Sequence, residues 1–466
     1  MTKTRAIVLR AGVAVVPVAP LFLLAGEARG QDAVANVNET VMESEVYNPG
    51  PTPGREQGDR TRKVEETPEA PAAATPEERE WFGGKSYWTW ERATGDWGGV
   101  RTWLEDRGVT LAGSYTLDWS SVWDGGLRNV ASTRSMLDLN ATVDIEKLGG
   151  WSGATFFADF QSSDMRGGTR DVGDLHAIDD IETGDNVDQI AEVWFEQKLF
   201  DNFLRVKVGK IDSNLEFAFP VYTGEFTVST DATPPSQFLA MPTWPNPSMG
   251  AVAFIYPTDN LYFGAGFFDG GNAVGRPTGR LGPRELWHGS EFYWTGEGGL
   301  TWNELGGLGV GRLAAGAWYH SGTFEKFNGS SQDGTYGFYG FFEQQLVRRE
   351  GSDSEDPKGL FFLLQYDHGD DDVNAIANHI GAGVVTHGTF GSRDDDSAGV
   401  YFSWLDLSTA EGAAFEDDES LAEAFYKIQV TPFFSVKPAL QYIWNPGGDA
   451  AVDDALVGAV RFEVTF

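Results

Sequence analysis

The chain ends on ALVGAVRFEVTF, residues 455–466, and this stretch decides the fold. Leu456, Val460, Phe462, Val464 and Phe466 share one parity, with Arg461, Glu463 and Thr465 between them. Successive side chains of a strand point to opposite faces, so the stretch reads as a strand with one oily and one charged face. A wall with hydrocarbon on one side and water on the other needs this alternation. A final strand that stops on an aromatic residue, with no polar tail, is expected to close on another strand.

The same period of two recurs upstream. In VTLAGSYTLDW, Val109, Leu111, Tyr115, Leu117 and Trp119 alternate with Thr110, Ser114, Thr116 and Asp118. In LDLNATVDIE, Leu137, Leu139, Val143 and Ile145 alternate with acidic and polar residues, so one face is wet. Such segments begin near residues 108, 135, 153, 190, 203, 251, 261, 291, 310, 336, 359, 378, 398, 421, 434 and 455. Tight, turn-rich connections (KLGGWSG at 147–153, FDN at 200–202, PTDN at 257–260, LGGLG at 305–309, TPFF at 431–434) follow segments two, four, six, eight and fourteen. Longer polar connections at 162–189, 212–250, 270–290 and 406–420 follow odd ones. This asymmetry predicts an all-β fold, a transmembrane antiparallel β-barrel of about 16 strands with short periplasmic turns and long extracellular loops. A secreted β-sandwich ending in a strand is the soluble alternative.

Composition agrees. With Gly at 58, Phe at 32, Trp at 16 and Tyr at 14 in 466 residues, the chain suits strands and turns better than helices. A formal charge of -35 excludes a nucleic-acid partner, because phosphate binding needs clustered Lys and Arg. Zero Cys removes disulfides, thiolate metal sites and cysteine nucleophiles together. Lys3, Arg5 and Arg10 precede the apolar run AGVAVVPVAPLFLLA, with small Ala28 and Gly30 behind it, so residues 1–30 read as a secretory signal cleaved before Gln31. A short membrane anchor is the alternative, and Pro17 and Pro20 break it. Residues 31–84, rich in Pro and Glu, read as a disordered periplasmic linker or an arm touching the cell wall, and 85–466 as the outer-membrane β-barrel porin domain.

Near the end the chain reads EAFYKIQVTPFFSVKPALQYIWNPGG from Glu423 to Gly448, then VRFEVTF. In Tyr426, Lys427, Gln429, Thr431, Pro432, Pro438, LQY at 440–442, NPGG at 445–448 and Arg461, it resembles the carbohydrate-selective porins of the OprB type. GDWGGVRTWLEDRGVTL at 95–111, the glycine pair at 125–126, EKLGGWSG at 146–153 and KVGKID at 207–212 extend the resemblance over nearly all of 90–466. The resemblance implies a sixteen-stranded barrel in the outer membrane of a Gram-negative-type bacterium, through which glucose and similar sugars diffuse passively. No catalysis and no cofactor are expected. The partners it implies are small sugars, outer-membrane lipids, the barrel-assembly machinery through the strand ending at Phe466 and, as the alternative to a lone barrel, further copies in a homotrimer.

A sugar channel needs carboxylates, guanidinium groups and amides for hydroxyls, and aromatic faces for the C–H side of the ring. Parity places Asp159, Glu192, Glu196, Arg205, Lys207, Glu291, Glu297, Arg312, Glu423, Lys427, Gln441, Arg461 and Glu463 on the inner face, with the aromatics Trp194, Tyr293 and Trp318. These charges either line a constriction with a transverse field or pair across strands around a wide lumen, and any β-bulge reverses parity beyond it. Segment 212–250, long and proline-rich, either dips into the lumen with Glu216, Glu225 or Asp231 at the constriction or caps the barrel outside. Acidic runs at 367–374, 392–397 and 415–420 lack EF-hand spacing and read as solvated turns. No zinc spacing, P-loop or nucleophile elbow appears. A general porin, a barrel enzyme with an outward Ser beside a His, and an adhesin are the competing functions.

Overall fold

The computed structural model describes residues 84–184, 186–276, 286–349, 352, 357–388 and 393–466. The expected secretory signal, and the expected linker up to Gly83, lie outside the described residues.

Sixteen strands form: β1 Val109–Asp124, β2 Ala131–Asp144, β3 Ala154–Met165, β4 Val187–Leu199, β5 Leu204–Ile211, β6 Ser248–Thr258, β7 Leu261–Asp269, β8 Phe292–Trp302, β9 Gly311–Glu325, β10 Ser331–Arg348, β11 Gly359–Gly369, β12 Ile376–His387, β13 Ser397–Leu407, β14 Glu419–Thr431, β15 Phe434–Trp444 and β16 Ala455–Thr465. Each pairs antiparallel with its neighbours in sequence, and β1 pairs with β16, so the barrel is closed and has no free edge. The strand starts differ most from the sequence expectation at β10, which begins at Ser331 rather than near 336. Its first residues, SQDGT, are polar, and a register shift lies between Asp333 and Thr335, so no apolar alternation marks them.

The terminal strand behaves as its pattern requires. Phe462 pairs with Leu117 across the seam on the outer face, and Arg461 with Asp118 on the inner face. The Phe466 N–H donates to Gly113 O at 2.8 Å. A Cβ at Gly113 would lie 2.8 Å from the Phe466 ring, so glycine is what lets the last aromatic lie against the seam. The preceding segment joins the same end of the barrel: Ala93 N–H donates to Thr465 O at 2.9 Å.

Outward positions such as Trp119, Leu139, Val208, Phe263, Leu313, Leu364, Val400 and Leu440 are exposed large apolar side chains, the hydrocarbon-facing belt of a barrel. No helix among the described residues is long and apolar enough to cross a membrane. The β4–β5 turn is tight enough to hold Phe200, Asp201 and Asn202 all at positive φ, between 55° and 67°.

Two connections do not stay outside. Every residue from Asp171 to Thr183, after β3, is buried, and none from Asp212 to Pro247, after β5, is exposed. Both turn into the barrel. Their apolar side chains pack on inward aromatics: Phe217 on Phe254 with ring centroids 5.2 Å apart, Phe226 on Phe425 at 5.0 Å and on Tyr401 at 5.1 Å. The molecule therefore has a core inside its lumen, made of loop against wall.

Candidate functional site

A loop folded into a barrel has no neighbouring strand to satisfy its backbone, and a buried N–H without an acceptor is costly. The wall supplies carboxylates instead. Glu192 on β4 accepts from Asp212 N–H at 2.9 Å, and Glu297 on β8 from Ala218 N–H at 2.8 Å. Glu343 on β10 accepts from Val221 N–H at 2.8 Å, Tyr222 N–H at 2.7 Å and the Thr223 hydroxyl at 2.9 Å. Glu423 on β14 takes the N–H and hydroxyl of Thr227 at 2.8 Å each, and Val228 N–H at 3.0 Å. Asp367 on β11 takes Ser236 N–H at 2.8 Å. The other loop is held likewise: Glu419 on β14 accepts from Leu175 N–H at 2.8 Å and His176 N–H at 2.9 Å. Hydrogen bonds to a charged acceptor contribute about 1.5–3 kcal/mol each, so these anchors set where the loops sit.

Cations occupy the gaps between these anchors. Arg205 on β5 donates to Glu196 at 2.9 Å and to Glu216 of the loop at 2.5 Å, and Lys207 binds the other Glu216 oxygen. Burial pushes the Glu216 carboxyl up, but Arg205 and Lys207 outweigh it and hold it at about 2. The same cations lie over aromatic faces, Lys207 Nζ 3.8 Å from the Trp194 ring centre and Arg205 Cζ 4.7 Å from that of Phe254. Farther along the same wall, on β9, Arg312 donates to Glu297 at 2.8 Å, to the Tyr262 hydroxyl at 3.0 Å and to Phe219 O at 2.9 Å, with the Tyr262 ring 6.1 Å from that of Phe254. A third group joins the β1–β16 seam to the loop after β3. Arg461 bridges Asp118 at 2.7 Å and Asp180 at 3.0 Å, and Arg134 donates to Asp179 at 2.6 Å. Burial raises the Asp179 carboxyl, and Arg134 and Arg461 more than reverse it. Among the described residues, Asp118, Asp179 and Asp180 are the one carboxylate trio close enough to share an ion, and Arg461 already sits between them.

The sequence candidates fall as follows. Asp159, Glu192, Trp194, Glu196, Arg205, Lys207, Tyr293, Glu297, Arg312, Trp318, Glu423, Gln441 and Arg461 are buried on the inner face, with Lys427 and Glu463 half-buried. A bulge opposite Asp159 and Phe160 lets Gln189 and Glu192, of opposite parity, both face inward along β4. Glu291 departs from expectation: β8 begins one residue later, and Glu291 belongs to the connection before it, paired there with Arg276 and Ser290. Of segment 212–250, residues 212–247 lie inside the lumen and 248–250 open β6, with Glu216 on Arg205 and Lys207, Glu225 on His387 at 3.1 Å, and Asp231 accepting Phe226 N–H at 3.2 Å within the loop.

Several residues escaped the sequence. Glu343, Asp367 and Glu419 are anchors that parity does not single out, and the loop after β3, for which strand parity predicts an outer connection, runs inward. Asp367 heads an acidic run that reads as a solvated turn, yet it lies in β11, 1% exposed. On β10 and β11 both faces are apolar, because Phe341, Phe361 and Leu363 are buried inside, Phe361 with its ring 5.5 Å from that of Tyr222 in the loop, while Phe338 and Leu364 face out. Alternation, the one signal available, is erased there.

Comparison with known proteins follows the same lines. The family model described as carbohydrate-selective porin, OprB family, matches residues 128–466. Porin B of Pseudomonas aeruginosa is 24% identical, with 80% of this chain and 90% of that protein covered. The putative porin QuiX of Acinetobacter baylyi is 23% identical, with 82% of this chain and 94% of that one covered. The high-pH structure of Pseudomonas putida OprB superposes with a TM-score of 0.72 at 21% identity, over 81% of this chain and 99% of that one. The low-pH structure of the same protein gives 0.55 at 20% identity, with the same coverage. At these identities the solved structures support the fold.

Proposed function

The chain belongs to the OprB family of carbohydrate-selective porins and is a passive outer-membrane channel, and from that premise we propose that its solutes are glucose-like monosaccharides and other small sugars. The observation that carries this reading is the inward loop 212–247, whose docking brings Glu216 onto Arg205 and Lys207 beside the faces of Trp194 and Phe254. Carboxylate, guanidinium and aromatic faces together match a polyhydroxylated ring, which offers hydroxyl donors and acceptors at its edge and C–H groups on its face. In this reading the lumen edges of Arg205, Glu196, Trp194 and Arg312 meet the sugar, while Lys207 and Glu297, 2% and 3% exposed, position them. Glu192, Glu343 and Glu423 act through the loop they hold. Passive diffusion requires contacts that replace water without trapping the solute, and cations already neutralised by carboxylates meet that need.

The barrel fold and the residues it brings together suit a transport protein. The enzyme alternative needs an outward serine beside a histidine, whereas Ser403, which contacts His176 and His379, is fully buried. The same channel admits one barrel or three per assembly; a lone barrel closes in one conductance step and a trimer in three.

The test is conductance of the refolded mature protein in a planar bilayer during titration with glucose and longer oligosaccharides, beside Arg205→Ala and Arg312→Ala. Saturable, sugar-dependent closure that the substitutions weaken supports the proposal. Steady conductance indifferent to every sugar leaves a general porin.

A further inference from the structure

Two histidines and one serine join both inward loops to the wall in a single line. His176, on the loop after β3, places Nδ1 2.5 Å from Glu419 Oε1 and Nε2 2.9 Å from Ser403 Oγ. His379, on β12, places Nδ1 2.6 Å from Asp367 Oδ2 and Nε2 2.9 Å from the same Ser403 Oγ. The line runs Glu419, His176, Ser403, His379, Asp367, and none of the five is more than 1% exposed. Its two ends are loop anchors, Glu419 for residues 175–176 and Asp367 for Ser236.

The hydrogens of this line can be counted. Ser403 has one hydroxyl hydrogen, so it donates to at most one Nε2 and must accept from at least one, which must itself carry hydrogen. On that ring Nδ1 faces a carboxyl group, so either the ring is an imidazolium or the carboxyl is protonated. Either way the line holds one proton more than two carboxylates, two neutral imidazoles and a hydroxyl would. Without it, two lone pairs oppose each other in a buried contact of 2.5–2.9 Å.

The hydrogen-bond geometry requires one extra proton, and the surroundings disfavour two. Asp174 and Asp231 from the two loops and Glu423 from β14 are the acidic groups around it, burial pushes the Asp174 and Asp231 carboxyls well above their ordinary range toward the neutral form, and Tyr401 Oη on β13 lies 3.5 Å from His379 Nε2. Lys437 on β15 is the cation that acts on Asp231 and Glu423. Burial, and then His379 beside it, pushes the His176 imidazole well below its ordinary range, so both rings do not charge together.

We propose that this line is a proton-operated latch on the constriction: while it holds its extra proton both loops are docked, and losing that proton as pH rises frees them and widens the passage. The inference rests on the channel reading above and concerns its regulation. The docked state binds a proton that the undocked state releases, so docking is favoured below the release point and lost above it. Ser403 is the hub, and His379 is the histidine carried by the wall.

The test uses the full mature protein in planar bilayers, stepped between about pH 5 and pH 9, the range in which histidine-centred networks titrate, with hydrogen exchange of residues 171–183 and 225–237 in parallel. Wild type is expected to rise in conductance and noise with a one-proton slope, while both segments lose protection in the same step. Ser403→Ala and His379→Gln are expected to lose the step, with unchanged heat-modified migration reporting an intact barrel. A wild-type conductance level across the range, or an unaltered step in His379→Gln, overturns the latch. Sugar block is read at each pH, so the two ideas fail separately. A sugar-blocked channel without a pH step refutes the latch alone, and a pH step in a channel that no sugar blocks refutes the sugar reading alone.

Discussion

Replacing Glu343 by Ala should loosen the constriction without opening the barrel. Its carboxylate takes three hydrogen bonds from consecutive residues, Val221 and Tyr222 N–H and the Thr223 hydroxyl, and it is fully buried on β10. Bonds to a charged acceptor contribute about 1.5–3 kcal/mol each, but Ala also removes the penalty of burying a carboxylate, which offsets several kcal/mol. The net loss of preference for the docked loop is then about 2–4 kcal/mol, or about a 30- to 1,000-fold shift in its docked-to-undocked ratio. The strand register around residue 343 is carried by backbone pairing to Phe341–Gln345 partners on β9 and β11, which the substitution leaves alone. Single-channel recording should show larger conductance or new open-state noise at unchanged thermal midpoint of the barrel. Glu343→Gln, which keeps one acceptor oxygen and turns an amide N–H toward a backbone N–H, should fall between wild type and Ala. A Glu343→Ala channel with wild-type conductance, noise and sugar block would refute the view that wall carboxylates set the loop.

Three further outcomes are expected. Arg461→Ala leaves Asp118, Asp179 and Asp180 without the guanidinium that bridges them, so the thermal midpoint should fall, with a cost of about 3–5 kcal/mol for breaking a buried pair; protease sensitivity of the loop after β3 should rise with it. Glu216 has a folded-state value of about 2, below its ordinary 4.5, so its contribution is present above pH 4.5 and is lost as pH falls toward 2. On the acid side, conductance should therefore hold down to pH 5 and become noisy in strong acid, a step separate from that of the histidine line, with Arg205→Ala moving this acid onset upward. Gly113→Val would set a Cβ 2.6 Å from Asp138 O and 2.8 Å from the Phe466 ring. Overpacking of that order costs about 1–3 kcal/mol, and the heat-modifiable band on gel electrophoresis should convert to the unfolded one at a lower temperature.

Barrel topology was legible in the chain because a membrane wall imposes a strict two-residue period and because short and long connections alternate with strand parity. ALVGAVRFEVTF carries both facts: Phe462 and Arg461 face opposite sides, and the strand meets β1 across the seam. The charged inner residues of β5, β9 and β16 could be named from that period alone, since Arg205, Arg312 and Arg461 interrupt apolar series. The period stopped being informative wherever the inside is as apolar as the outside, as at Phe341 and Leu363. It also says nothing about connections, which have no period. Only the folded chain showed that 171–183 and 212–247 turn inward, because that course depends on contacts between residues far apart in sequence, Glu343 with Val221, Glu419 with His176, Asp367 with Ser236. Local pattern thus determined which faces are wet and which are oily. What fills the wet interior was decided by tertiary structure, because a buried loop is stable only where distant wall carboxylates happen to meet its backbone N–H groups.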